Sequence, residues 1–174
     1  MKRINFKTTL MTGLFLLLGM VAKADNNPIV VGNSRFTFIT ENLVRMEYAN
    51  HQKFLDDSTL FAVNRQAGNV DVKVEKKDGK YIFSTSMMSV EFENDGFPFG
   101  QNNVRVSFEM DGKRKSWCMT DEQRNNLGGA ITTLDAIGSP IPLQEGLLSR
   151  DGWYLINDTG KDVYKNGWLS VRDP

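Results

Sequence analysis

From residue 36 to residue 110 the chain keeps returning to a period of two, and that constrains its fold more than anything else in it. Phe36 and Phe38 fall on one face, and Val44, Met46 and Tyr48 fall on one face after the turn at Thr40-Glu41-Asn42. Val70, Val72 and Val74 alternate with Asp71, Lys73 and Glu75. Tyr81 with Phe83 and Val90 with Phe92 follow, and then Val104, Val106, Phe108 and Met110 alternate with Arg105, Ser107 and Glu109. Successive side chains of a strand point to opposite faces, so these runs predict half-buried strands, apolar inward and polar outward. The breaks between them carry turn chemistry. Asp78-Gly79 and Asp111-Gly112 each separate two runs, and the tight type I′ hairpin needs φ > 0 at both central residues. Asn94-Asp95-Gly96 is a further break. Beyond the N-terminal leader no window shows the 3.6 period of a helix; residues 52–64 come nearest and read as a long connection. Many short strands with closely spaced turn signals predict an all-β, antiparallel sandwich or barrel.

The leader has its own signature. Lys2, Arg3 and Lys7 form a basic start, residues 10–22 are apolar apart from Thr12 and two glycines, and Ala22-Lys23-Ala24 has the small-x-small form of a cleavage site. This is the three-part pattern of a secretory signal. The apolar run is too short to span a bilayer, which takes about 20 residues. Residues 1–24 are therefore expected to be removed after Ala24, leaving a mature chain from Asp25 that is periplasmic or secreted. Removal leaves 150 residues and, with four basic residues gone, turns a formally neutral chain into one of charge −4. No membrane association is expected after cleavage.

Composition excludes several functions. Lys+Arg and Asp+Glu balance at 21 each, so the electrostatic footprint of a nucleic-acid binder is missing and no nucleic-acid partner is expected. One cysteine, Cys118, forbids an internal disulfide, and one histidine, His51, with one cysteine falls short of the roughly four N/S ligands of a structural zinc site. No metal or other cofactor is expected. A Ser-His-Asp or Cys-His system would have to run through His51, which lies in the polar stretch Asn50-His51-Gln52-Lys53 and reads as a solvated loop residue. Cys118, next to Trp117, reads as a small buried apolar side chain. A chain of 174 residues makes one domain and is too short for a complete (β/α)8 barrel of about 250.

From Asn125 the alternation gives way to a loop-rich C-terminal third, rich in Gly, Pro and Asp. Long connections on a sheet scaffold are where function usually sits. Asp56-Asp57 and Asp121-Glu122 read as surface or capping acids. Asp135, which follows Leu134 in the Gly-rich stretch, is open to two readings, a turn residue or a functional carboxylate. Trp117, Trp153 and Trp168 are core aromatics or platforms for sugar rings. Asn157-Asp158-Thr159 is a formal glycosylation sequon.

The run Asn126-Leu127-Gly128-Gly129, Thr133-Leu134-Asp135, Pro142-Leu143, Gly146-Leu147-Leu148-Ser149-Arg150-Asp151-Gly152-Trp153 and Asn157-Asp158 resembles the N-terminal domain of glycoside hydrolase family 31, the α-glucosidase/α-xylosidase group. Residues 35–48 are similar to that domain's opening hairpin, and Phe61-Ala62-Val63-Asn64-Arg65 matches its style. The resemblance covers residues 29–173. It implies a galactose-mutarotase-like β-sandwich that packs on a (β/α)8 barrel and lends a loop to the rim of the active site. The partners it implies are that barrel, which this chain lacks, and, through the full-length enzyme, an α-linked oligosaccharide.

The family's nucleophile lies in a Trp-x-Asp segment of the barrel. Trp117-Cys-Met, Trp153-Tyr-Leu and Trp168-Leu-Ser do not match it. No catalytic residue is therefore expected here, and Asp135 alone carries over as a substrate contact. Arg150 and Asp151 are expected to hold the loop to the sandwich. The competing expectations are a stand-alone periplasmic carbohydrate-binding module and a mutarotase-like enzyme built on His51.

Overall fold

The computed structural model describes residues 27–129, 135 and 138–172, so the expected signal segment, residues 1–24, lies outside the described residues. The fold is all-β and antiparallel. A three-stranded sheet has the order β1 (Ile29–Val31), β2 (Ser34–Thr40), β3 (Leu43–Tyr48). A five-stranded meander runs β4 (Lys73–Lys77), β5 (Lys80–Ser84), β6 (Met88–Phe92), β7 (Val104–Met110), β8 (Lys113–Cys118). A small ribbon of β9 (Val163–Lys165) and β10 (Trp168–Ser170) completes the described strands.

The turns follow from residue chemistry. Asp78 and Gly79 have φ of 50° and 81°, and Asp111 and Gly112 have 53° and 68°, so both Asp-Gly pairs form the left-handed two-residue turns their sequence predicts. Asn166 and Gly167, at 53° and 85°, close β9 on β10 in the same way. That hairpin escaped the periodicity reading because its strands are three residues long.

The two larger sheets face each other across a phenylalanine cluster. The Phe36 ring of β2 lies 4.8 Å from Phe83 on β5, 5.0 Å from Phe92 on β6 and 5.5 Å from Phe99 in the β6–β7 connection. Phe36, Phe38, Phe83, Val90, Phe92 and Val104 are fully buried, each side chain contributing on the order of 2 kcal/mol of transfer free energy. In-register pairs carry this face across the sheets: Phe36 opposite Met46, Phe83 opposite Val90, Val106 opposite Trp117.

Two departures from simple alternation have physical causes. Val70 and Val72 lie ahead of β4, in the segment that passes from one sheet to the other, and still pack against the core. Gly68 starts that segment, donating its backbone N–H to Phe38 O, and an added Cβ there would sit 2.1 Å from Ile39 O. The outer face of the small sheet is also covered rather than solvated: Arg35 and Thr37 are buried. Residues 54–56 lie over Arg35, which stacks on the Phe54 ring and pairs with Asp56.

Three strands against five leave β7 and β8 partly uncovered. The connection carrying Gly152 and Trp153 fills the gap. Trp153 packs on Trp117 at 5.9 Å, and Gly152, at φ +84°, lies so close that an added Cβ would fall 2.1 Å from Met110 Sδ. Between β8 and β9 the described residues form no strand, only the bridges Asn126–Ser149 and Gly129–Gln144. This is the loop-rich C-terminal third.

Candidate functional site

The Gly-rich connection is an organised ribbon. Leu127 donates to Leu148 O, and Gly129 and Gln144 exchange backbone hydrogen bonds at 2.9 and 3.1 Å. The two legs run so close that a Cβ on Gly146 would lie 2.4 Å from Gly128 O, which explains a glycine at that position. Asn126 knits the legs together. Its Oδ1 accepts from the backbone N–H groups of Gly128 and Gly146, both at 2.8 Å, while its Nδ2 donates to Gly146 O and to Gln123 Oε1.

The root is clamped by Asp151. Its carboxylate accepts from the side chain of Asn125 at 2.6 Å, from the Asn125 backbone N–H at 3.0 Å and from Ser149 Oγ at 3.3 Å. These donors, the Asn125 side chain foremost, hold the carboxyl below its ordinary range. Lys115 Nζ on β8 donates to Asp151 O at 3.2 Å, and Arg150 donates its backbone N–H to Asn125 O. Asp151 thus ties ribbon to sandwich, as its motif suggests. Arg150 takes part through its backbone and leaves its side chain exposed.

Asp135 lies in the distal part of the ribbon, beyond the Gly129–Gln144 bridge, as an exposed turn residue. Residues 130–134 and 136–137 around it lie outside the described residues. Asp135 is thus carried beyond a base fixed by backbone hydrogen bonds.

The other sequence candidates separate clearly. His51 is exposed in the single 3-10 turn Asn50–Gln52, with φ 57°. Cys118 is half-buried rather than buried. It pairs with Arg105, on the face opposite Trp117, and its Sγ lies 3.5 Å from Thr120 Oγ1. Trp117 is core, Trp153 covers it, and Trp168 is 77% exposed on β10. Asp121 accepts the Cys118 backbone N–H and closes the end of β8. Among the described residues no three His, Cys, Asp or Glu side chains gather as a metal site.

Three groupings escaped sequence reasoning. Arg35, Arg45, Glu47 and Asp56 form an ion-pair quartet. Arg35 pairs with Glu47 at 2.7 Å and with Asp56 at 2.6 Å, and Arg45 pairs with the same two acids. The Arg35 hydrogen bond draws the Asp56 carboxyl below its ordinary value. Opposite charges at outward positions of one hairpin were the available signal. Arg65 and Asp158 form a second, largely buried pair, joined by Thr59 Oγ1 and Arg172. The third is an apolar cleft of about 240 Å³ at the seam between the sheets, walled by Met46, Met88, Phe108, Trp117 and Trp153. In comparisons with known proteins, no family model and no curated protein matches the chain.

Proposed function

We propose that this chain is the exported N-terminal accessory sandwich, of galactose-mutarotase-like type, of a family 31 α-glycosidase. On this reading it is inactive alone, and the full-length enzyme hydrolyses α-glucosidic or α-xylosidic bonds. One observation carries the reading: motif pieces scattered through the sequence meet in space. Asn126, Gly128 and Gly146 build the ribbon, and Ser149, Asp151 and Gly152 fix its root. Arg65 from the Phe61-Ala62-Val63-Asn64-Arg65 piece pairs with Asp158 from the Asn157-Asp158 piece. The ribbon then supplies Asp135 to the rim of a sugar site whose two catalytic carboxylates lie in the barrel, about 5 Å apart for a retaining reaction.

The deciding experiment is to read the gene downstream of codon 174. A barrel-coding frame with a Trp-x-Asp nucleophile segment, in frame or shifted by one base, is the expected result; non-coding sequence there overturns the proposal. The purified chain should show no turnover of aryl α-glucosides or α-xylosides above a buffer blank. N-terminal sequencing of exported protein should begin at Asp25.

The exposure of Trp168 favours a second reading, a stand-alone carbohydrate-binding module. Calorimetry with maltose, isomaltose and xyloglucan oligosaccharides distinguishes it: heat of binding that is lost in Trp168→Ala supports the module, and no heat at millimolar sugar removes it.

A further inference from the structure

The cleft at the sheet seam has the chemistry of a small-ligand site, independent of any glycosidase role. It opens where β3 ends the smaller sheet and the 152–155 connection takes over the covering of β7 and β8. Its walls are soft and aromatic. Met46 and Met88 line it together with Phe108, Trp117 and Trp153, and sulfur and ring edges both make favourable contacts with an aromatic guest. The volume of about 240 Å³ lies just under the roughly 300 Å³ lower bound of drug-sized pockets, which suits one substituted ring.

Two polar observations narrow the guest further. Trp117 is 4% exposed, and its indole Nε1 is buried with no hydrogen-bond partner. Buried donors are nearly always paired, and an acceptor brought to this one recovers the cost of its desolvation. Glu109 lies on the face of β7 opposite Phe108, beside Arg114, and Lys115, which shares the Phe108 face, is already engaged by Asp151 O, so a charged guest finds no free partner to offset its desolvation.

We propose that the seam cleft binds a compact, uncharged aromatic group carrying one hydrogen-bond acceptor, with the Trp117 indole N–H as the donor. Unbranched methionine side chains give the wall the freedom to let the acceptor reach that buried N–H.

The test uses isotope-labelled full chain and three probes of similar size: acetophenone, ethylbenzene and benzoate. Acetophenone should shift the Trp117 Nε1–H resonance and the Met46 and Met88 methyl resonances. Ethylbenzene should move the methyls alone and bind roughly fivefold more weakly, the scale of one neutral hydrogen bond. Benzoate should bind more weakly than acetophenone. In Trp117→Phe the advantage of acetophenone over ethylbenzene should vanish. If that variant does not fold, the comparison of probes on the unaltered chain decides. Equal binding of acetophenone and ethylbenzene there, or no response at millimolar probe, overturns the proposal.

Discussion

Arg65 and Asp158, 93 residues apart in sequence, meet in an ion pair whose side chains are 6% and 18% exposed. The contact joins the connection after β3 to the segment leading into β9. Thr59 hydrogen-bonds to both partners and also bridges Val163, so the β9–β10 ribbon hangs on the same knot.

Breaking that pair from one side leaves a buried charge uncompensated, which costs about 3 kcal/mol. Asp158→Asn should therefore lower the urea midpoint markedly. The double variant Arg65→Met with Asp158→Leu should lose less than the two single losses combined. Single variants within about 0.5 kcal/mol of the parent, the range of ordinary surface changes, would show that the pair holds nothing.

Gly152 is required by position and by conformation. Gly152→Ala meets Met110 Sδ and places a side chain at φ +84°, for an expected loss of about 2 kcal/mol. Adding Met110→Ala should recover the steric part and leave the backbone part of about 1 kcal/mol. Thermal or urea unfolding of both variants checks this; a double variant no better than the single contradicts it.

Acid should weaken the cover of residues 54–56 over the small sheet. The Asp56 carboxyl lies below its unfolded value of about 3.9 because Arg35 donates to it. Its contribution is therefore present above about pH 4 and is lost as pH falls through the lower folded value. The side chain is 67% exposed, so solvent screens the pair and the effect is small. Urea midpoints measured from neutral to strongly acidic pH should fall less in Asp56→Asn than in the parent. An identical acid slope would assign the loss to other carboxylates.

The solvent face near β9–β10 should drive association. Leu60, Phe61 and Val63 are 72%, 54% and 72% exposed, and Tyr164, Trp168 and Leu169 are 47%, 77% and 51% exposed on the ribbon bridged to Thr59. Tyr164 and Leu169 expose one face of the ribbon and Trp168 the other, and exposed apolar side chains gathered in this way mark an interface or an aggregation site. Light scattering should show mass rising with concentration, and Phe61→Ser with Trp168→Ser should suppress the rise. A monomer at all concentrations contradicts it.

Local chemistry was legible in the sequence and long-range pairing was not. The Asp78-Gly79 and Asp111-Gly112 turns follow from the φ > 0 requirement alone, and the alternation of Val104–Met110 with its neighbours located a real strand. The same alternation misplaced Val70 and Val72, because apolar residues crossing between sheets share the period of a strand. Nor does a periodic pattern register a later segment folding over the outer face, as residues 54–56 do over the buried Arg35. Cys118 went to the face opposite Trp117 because neighbours on a strand cannot share one. Of the candidate site, Asp151's anchoring role was readable from its place beside a turn glycine. The Arg65–Asp158 knot was not, because no local rule links residues so far apart.

The ribbon's base is held by Asn126, Asp151 and mutual backbone bonds of its own. Doubling the length of a flexible loop costs only about 0.6 kcal/mol in closure entropy, against a root with at least six hydrogen bonds of its own. Exchange of residues 130–143 is therefore expected to leave the urea midpoint of the scaffold unchanged. Their length and wording can drift, or be rewritten by design, to retune whatever the ribbon touches while the scaffold beneath stays the same.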